Sequence, residues 1–162
     1  MGRASLPLLV VLSFAAGCGG SDTTITGSND TGNFVTNGTF SATVGGAAWS
    51  ALGRVVVTRP AGSLAIAAAS TTYVIEITLV GATKTGTYSL ANSVSNASQV
   101  IVGNANGMAW VTGAAGATGS VTITTFTSTH VVGTFTFDAV PGPASSATGT
   151  LHVTNGAFDL TY

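Results

Sequence analysis

The chain has 162 residues, a formal net charge of −1, and 6% charged side chains against 45% hydrophobic ones. That charge is too sparse for the basic stripe that neutralises phosphates, which excludes nucleic acid as a partner. The length suits one domain plus a tail, with a neutral, hydrogen-bonding surface built from Thr, Ser, Asn, Gly and Ala.

The N-terminus opens with a positive residue, Arg3, and continues as an apolar run, Leu6 to Ala16. This run falls short of the about 20 residues a spanning helix needs, and Gly17, Gly19, Gly20, Ser21 and Asp22 cut it off. Positive start, short apolar core and small residues predict a secretory signal over residues 1–17. Cys18 is the only cysteine, so in an exported chain it has no internal disulfide partner. Ala15-Ala16-Gly17-Cys18 resembles the lipobox of bacterial lipoproteins, with Ala15 where that pattern usually has Leu. The competing reading is an ordinary secretory signal with a stray cysteine. The resemblance implies that Cys18 becomes the lipid-modified first residue, anchored by acyl chains at about 0.8 kcal/mol per buried methylene. Gly19, where the family's inner-membrane retention residue is Asp, implies the outer membrane. The myristoylation pattern fails, because Leu6 stands where Ser or Thr is required. Residues 18–33 then comprise the lipidated cysteine and a flexible tether whose one apolar residue after the cysteine is Ile25.

Residues 34–162 follow period two, in short runs broken by Gly, Asn, Pro and Ser, with no stretch at helical spacing. This predicts an all-β domain, an antiparallel β-sandwich or partly closed β-barrel of about ten strands. Phe40, Ala42 and Val44 alternate up to Gly45-Gly46, then Ala47, Trp49 and Ala51 alternate back, a hairpin placing Val44 opposite Ala47 and Ala42 opposite Trp49. Arg54 to Arg59 and Ser63 to Ala69 are strands about a Pro60-Ala61-Gly62 turn. In Tyr73 to Val80, Tyr73, Ile75, Ile77 and Leu79 point one way and Glu76 and Thr78 the other. Thr87 to Leu90 follows, then a polar loop over Ala91 to Ser98, and a hairpin about Asn104-Ala105-Asn106-Gly107 with Trp110 as core anchor. Val121 and Ile123 lead into Val131 to Ala139, with Phe135, Phe137 and Ala139 inward, Asp138 outward and Gly133 as a bulge. Gly149 to Tyr162 closes the chain as a hairpin about Asn155-Gly156.

Gly38-Thr39-Phe40, Gly86-Thr87-Tyr88, Gly133-Thr134-Phe135 and Gly149-Thr150-Leu151 recur at irregular intervals, each a glycine, an outward threonine and a large inward residue. They read as strand-entry chemistry rather than a solenoid. Phe40 to Trp49, Gly86 to Leu90, Gly119 to Thr124 with Val132 to Phe137, and Val153 to Phe158 resemble an uncharacterised family of bacterial envelope lipoproteins. The resemblance covers nearly all of the domain and implies its architecture. It implies no activity and no site residues.

The closing hairpin places His152 opposite Asp159 on the outer face. The pair reads either as an acid–base dyad or as an exposed cross-strand charge pair, and packing favours the second, because neither a nucleophile nor a pocket accompanies it. No Gly-x-Ser-x-Gly elbow exists. His130 has no cysteine or second histidine at ligand spacing, the acidic residues are too dispersed for a calcium loop, and no cofactor motif is present. Glu76 and Asp138 read as solvated carboxylates on separate strands. Trp49, Tyr73, Tyr88 and Trp110 would suit a sugar platform, yet each has inward parity, so core packing is the stronger reading.

Two function classes follow. The first is a non-enzymatic envelope module, tethered to the membrane through its N-terminal lipid, that binds a protein or a polymer such as a glycan through its Thr-rich faces and loops. The second is a calycin-like carrier of a small hydrophobic molecule, its cavity lined by residues such as Ile75, Tyr88, Trp110 and Phe135. A hydrolase ranks third. A transmembrane barrel is disfavoured by the short runs and by the redundancy of a lipid anchor.

Overall fold

Alternation of apolar and hydroxyl side chains makes each run half-buried, and antiparallel pairing is the arrangement that short connections allow. In a computed structural model describing residues 33–53, 55–91 and 98–162, the chain forms eleven strands. The signal segment, Cys18, the tether through residue 32, Arg54 and residues 92–97 lie outside the described residues. The strands are β1 (Asn33–Val44), β2 (Ala47–Ser50), β3 (Val55–Thr58), β4 (Ser63–Ala69), β5 (Tyr73–Val80) and β6 (Gly86–Ser89). They continue as β7 (Gln99–Asn104), β8 (Ala109–Val111), β9 (Thr118–Phe126), β10 (His130–Pro141) and β11 (Leu151–Thr161).

Two long strands belong to both layers. β1 pairs with β3 through Asn33–Thr36 and with β2 through Ser41–Val44. β10 pairs with β9 through Val131–Asp138 and with β8 through Val140 and Pro141. Sheet A therefore runs β1-β3-β4-β5-β7-β8-β10, and sheet B runs β2-β1-β11-β10-β9-β6. Because β11 pairs with both β1 and β10, the hydrogen bonds close into a ring of eight strands, a flattened barrel. Every pairing is antiparallel.

The interior is filled from both sheets. Val57, Ile66, Ile75, Ile77 and Val102 from sheet A meet Phe40, Trp49, Phe135, Phe137 and Phe158 from sheet B, all buried. Phe135 lies 5.1 Å from Phe40 and 6.4 Å from Phe158 between ring centroids, and Trp49 meets Phe40 edge-on at 5.9 Å and 88°. Two glycines make room for these rings. In the β10–β11 register Gly133 faces Phe158 and Phe135 faces Gly156, so each ring lies over a glycine on the opposing strand. A Cβ on Gly133 would stand 2.5 Å from Phe158 Cζ, and one on Gly156 would enter the Phe135 ring. Gly133, like Gly38 in β1, lies inside its strand, which corrects the strand-entry reading at these two positions, whereas Gly86 opens β6 and Gly149 precedes β11.

The closing segment also departs from expectation. Asn155-Gly156 is a β-bulge in a continuous strand, with Asn155 at φ 51°. Thr136 faces two residues of β11, and the inward set passes from Leu151 and Val153 to Gly156, Phe158 and Leu160. A two-residue turn would give the same inward set, so alternation alone cannot tell them apart. Pairing on both edges, to β1 and to β10, holds the strand straight. The irregularity beside Gly133 has its extra residue on the neighbour: Val132 faces Thr125 and Gly133 faces Ile123, leaving Thr124 over.

The hairpin about Gly45-Gly46 has the expected register, with Ala42 facing Trp49, and the expected hairpin about Asn104–Gly107 forms with Val102 facing a buried Trp110. Thr112, fully buried, accepts from the Val100 amide at 2.7 Å and continues the β7–β8 ladder past its end. Arg59, just beyond β3, ties sheet A to the β9–β10 turn. Its guanidinium lies 4.7 Å above Phe126 and donates to the Thr127 carbonyl at 3.2 Å. Burial pushes the Tyr162 hydroxyl above its ordinary value, and Arg59 beside it pulls the other way.

Gly133→Ala should cost about 2–3 kcal/mol in denaturant unfolding, because the ring and the Thr122 carbonyl it meets are both fixed. Gly103→Ala, with open space at its Cβ, should stay within about 0.5 kcal/mol. Arg59→Ala should raise the Tyr162 pKa further in an alkaline ultraviolet titration. The folded state then holds this proton more tightly than the unfolded chain, so the stability is present below the ordinary tyrosine range and lost as pH rises through it.

Candidate functional site

The outer face of sheet B is built from the small polar residues that alternate with the core. In the paired registers Thr87, Thr122, Thr134, Ala157, Ser41 and Ser50 stand side by side across β6, β9, β10, β11, β1 and β2. A second row holds Ser89, Ser120, Thr136, the bulge at Thr154 and Asn155, and Thr43. Neighbouring strands lie about 4.8 Å apart, so each row is a line of hydroxyls at strand spacing, interrupted in the first by Ala157. Thr87 and Thr122 share a hydrogen bond at 3.0 Å, and Thr136 donates to the Val153 carbonyl at 3.1 Å, which satisfies the bulge. Between the rows opens a shallow hollow of about 340 Å³, where Ser120, Thr122, Thr134, Thr136 and Asn155 meet Phe135, Gly156 and Ala157.

His152 and Asp159 are both exposed, but they do not pair. With β11 straight they lie seven positions apart along one strand, and each finds its partner on β10. His152 Nδ1 lies 2.6 Å from Asp138 Oδ1, directly across the ladder, and His130 Nε2 lies 2.7 Å from Asp159 Oδ1 on the diagonal. The two pairs are eight residues apart along β10, roughly 26 Å, so they form separate sites. Thr118 Oγ1 donates to Asp138 at 3.4 Å. In solvent such pairs contribute at most about 1 kcal/mol.

Of the candidate aromatics, Trp49, Trp110 and Phe135 are buried in the core, and Tyr73 and Tyr88 are partly buried against it. Trp49 donates from Nε1 to Ser70 Oγ at 2.6 Å, and Trp110 to the Gly149 carbonyl at 3.2 Å. Tyr88 is half-buried and donates to the Lys84 carbonyl at 2.7 Å, while Phe135 sits in the ring cluster. Glu76 and Asp138 occupy outer positions on different sheets, too far apart to flank one bond. Among the described residues no three of His, Cys, Asp and Glu come together as metal ligands.

The hydroxyl rows were visible strand by strand as outward threonines. Their alignment, and the His130–Asp159 pair, required knowing that β10 lies between β9 and β11. The imidazole resonances of His152 should respond to Asp138→Asn and ignore Asp159→Asn, and those of His130 should do the reverse; nuclear magnetic resonance of the two variants checks the exchange.

No curated protein and no solved structure matches the chain. A family model described as a domain of unknown function does match, over residues 36–160, from the first half of β1 to the end of the β11 core positions. That span includes the ring, both hydroxyl rows and both His–Asp pairs, and on it the chain belongs to the DUF6252 family.

Proposed function

We propose that this protein is a bacterial envelope lipoprotein, anchored in the outer membrane through Cys18, whose β-domain works without catalysis as a binding module for a neutral, hydroxyl-rich polymer of the glycan class. Arg3, the short apolar run and the lone cysteine support the anchor. The observation that carries the binding reading is the pair of hydroxyl rows across sheet B, with the hollow between them.

Each hydroxyl both donates and accepts, so the rows match sugar hydroxyls in either sense. The apolar part of the hollow suits the C–H face of a sugar ring. The rows hold no Lys or Arg for an anionic ligand. A hydrogen bond made in competition with water is worth about 0.5–1.5 kcal/mol net, so affinity depends on many contacts at once. That favours a polymer lying along the face over a single small sugar.

Calorimetric titration with soluble neutral polysaccharide fragments of increasing length should show affinity that grows with length and is indifferent to salt. The combined variant Ser120→Ala, Thr122→Val, Thr134→Val should lose it while unfolding at nearly the same temperature. Binding that fades as salt is added, or none to any fragment, rejects the glycan reading. In membrane fractionation, Cys18→Ser should release the protein into the soluble fraction, and retention would reject the lipid anchor.

A further inference from the structure

The dipeptide Asn-Gly occurs three times, at Asn37-Gly38, Asn106-Gly107 and Asn155-Gly156, and the fold gives each a different setting. This dipeptide is able to modify itself. The backbone nitrogen of the glycine, as its deprotonated amide, attacks the asparagine side-chain carbon Cγ, the Cγ–Nδ2 bond breaks, and ammonia leaves. Water then opens the five-membered imide, giving aspartate if it adds at Cγ and isoaspartate if it adds at the backbone carbonyl. Glycine favours the attack, because it has no Cβ to crowd its nitrogen and its backbone turns freely. The peptide must still rotate to bring that nitrogen onto Cγ, so a peptide held between paired strands reacts only after local opening.

Two of the three are held. Asn37 and Gly38 lie in β1 opposite Thr161 and Leu160, and a Cβ on Gly38 would strike the Asp159 carbonyl, so the strands leave that peptide little room to turn. Gly156 lies in β11 beneath the Phe135 ring, with β1 on one side and β10 on the other, and Asn155 Nδ2 donates to Thr43 Oγ1 at 3.5 Å. Asn106-Gly107 is the exception. Both residues are exposed in the β7–β8 turn, and a Cβ on Gly107 would meet open space. The Gly107 amide is held by one bond, to the Asn104 carbonyl at 3.1 Å, and the Asn106 side chain has no hydrogen-bond partner among the described residues.

We propose that Asn106 is a site of spontaneous modification, where the folded chain converts its own side-chain amide to a carboxylate while Asn37 and Asn155 wait for strand opening. The product differs in two ways. A chain with five acidic side chains and a formal net charge of −1 gains a further acid and moves to −2. In the isoaspartate form the main chain also runs through the side-chain methylene. That lengthens a turn which Asn104 Oδ1 braces by accepting from the Asn106 and Met108 amides, each at 3.0 Å. β7 and β8 belong to sheet A, so the hydroxyl rows on sheet B are untouched and the inference is independent of their ligand.

Incubation of the exported chain carrying Cys18→Ala in mildly alkaline buffer, followed by peptide mapping in a mass spectrometer, tests this. Acid should replace amide at Asn106, with the same peptide accepting methyl groups in an isoaspartyl methylation assay. Asn37 and Asn155 should convert at least about tenfold more slowly, since their reaction waits on opening of paired strands. The same chain unfolded in urea should convert all three at similar rates, because the dipeptide is then the same in each. Asn106→Gln should remove the acidic form that isoelectric focusing resolves in the aged, folded chain. Equal rates at the three sites in the folded chain, faster conversion at Asn37 or Asn155, or an unchanged Asn106 in a folded chain whose unfolded form reacts would overturn the proposal.

Discussion

The fold depends on a reciprocal exchange between β10 and β11, in which each strand offers a glycine to the other's phenylalanine. Gly133 under Phe158 and Gly156 under Phe135 allow two rings to occupy adjacent positions on one inner face. Phe40 and Phe137 then pack onto the same cluster. A side chain at either glycine would lift a ring into the space that sheet A fills. The glycines weaken their strands locally, since they bring no packing of their own, and the rings that cover them replace the contacts they lack.

From that exchange the rest of sheet B follows. With the rings inward, the residues between them face solvent, and in β10 and β11 these are mostly threonines, alanine, histidines and acids. The bulge at Asn155 restores inward parity after Val153, so both halves of β11 serve one core. The same bulge sets Thr136 against the Val153 carbonyl and opens the hollow. Core packing and surface chemistry thus share one backbone irregularity.

Much of this was legible from residues. The apolar alternation of Ser63–Ala69 and Tyr73–Val80 marks β4 and β5 at the boundaries they adopt, and Gly45-Gly46 and Asn104–Gly107 carry real turns. Asn155-Gly156 carries the same turn chemistry but is a bulge, because Asn tolerates a left-handed backbone in either setting. Only the presence of β1 and β10 on both sides distinguishes the two. The partners of His152 and Asp159 depended on that same choice, so the site was misread for a reason of fold and not of chemistry. Sandwich and barrel share one alternation, and what joins the layers here is the length of β1 and β10, each long enough to serve both.

The sharing of β1 also has a mechanical meaning. Its N-terminal end is where the chain enters the domain, and its length is paired to β3 first and to β11 afterwards. A pull applied at Asn33 along the strand loads the β1–β11 ladder in shear, so that its hydrogen bonds resist together instead of opening one after another. β11 in turn carries part of the hydroxyl face. Tension between that face and the N-terminus would pass through a closed ring of strands.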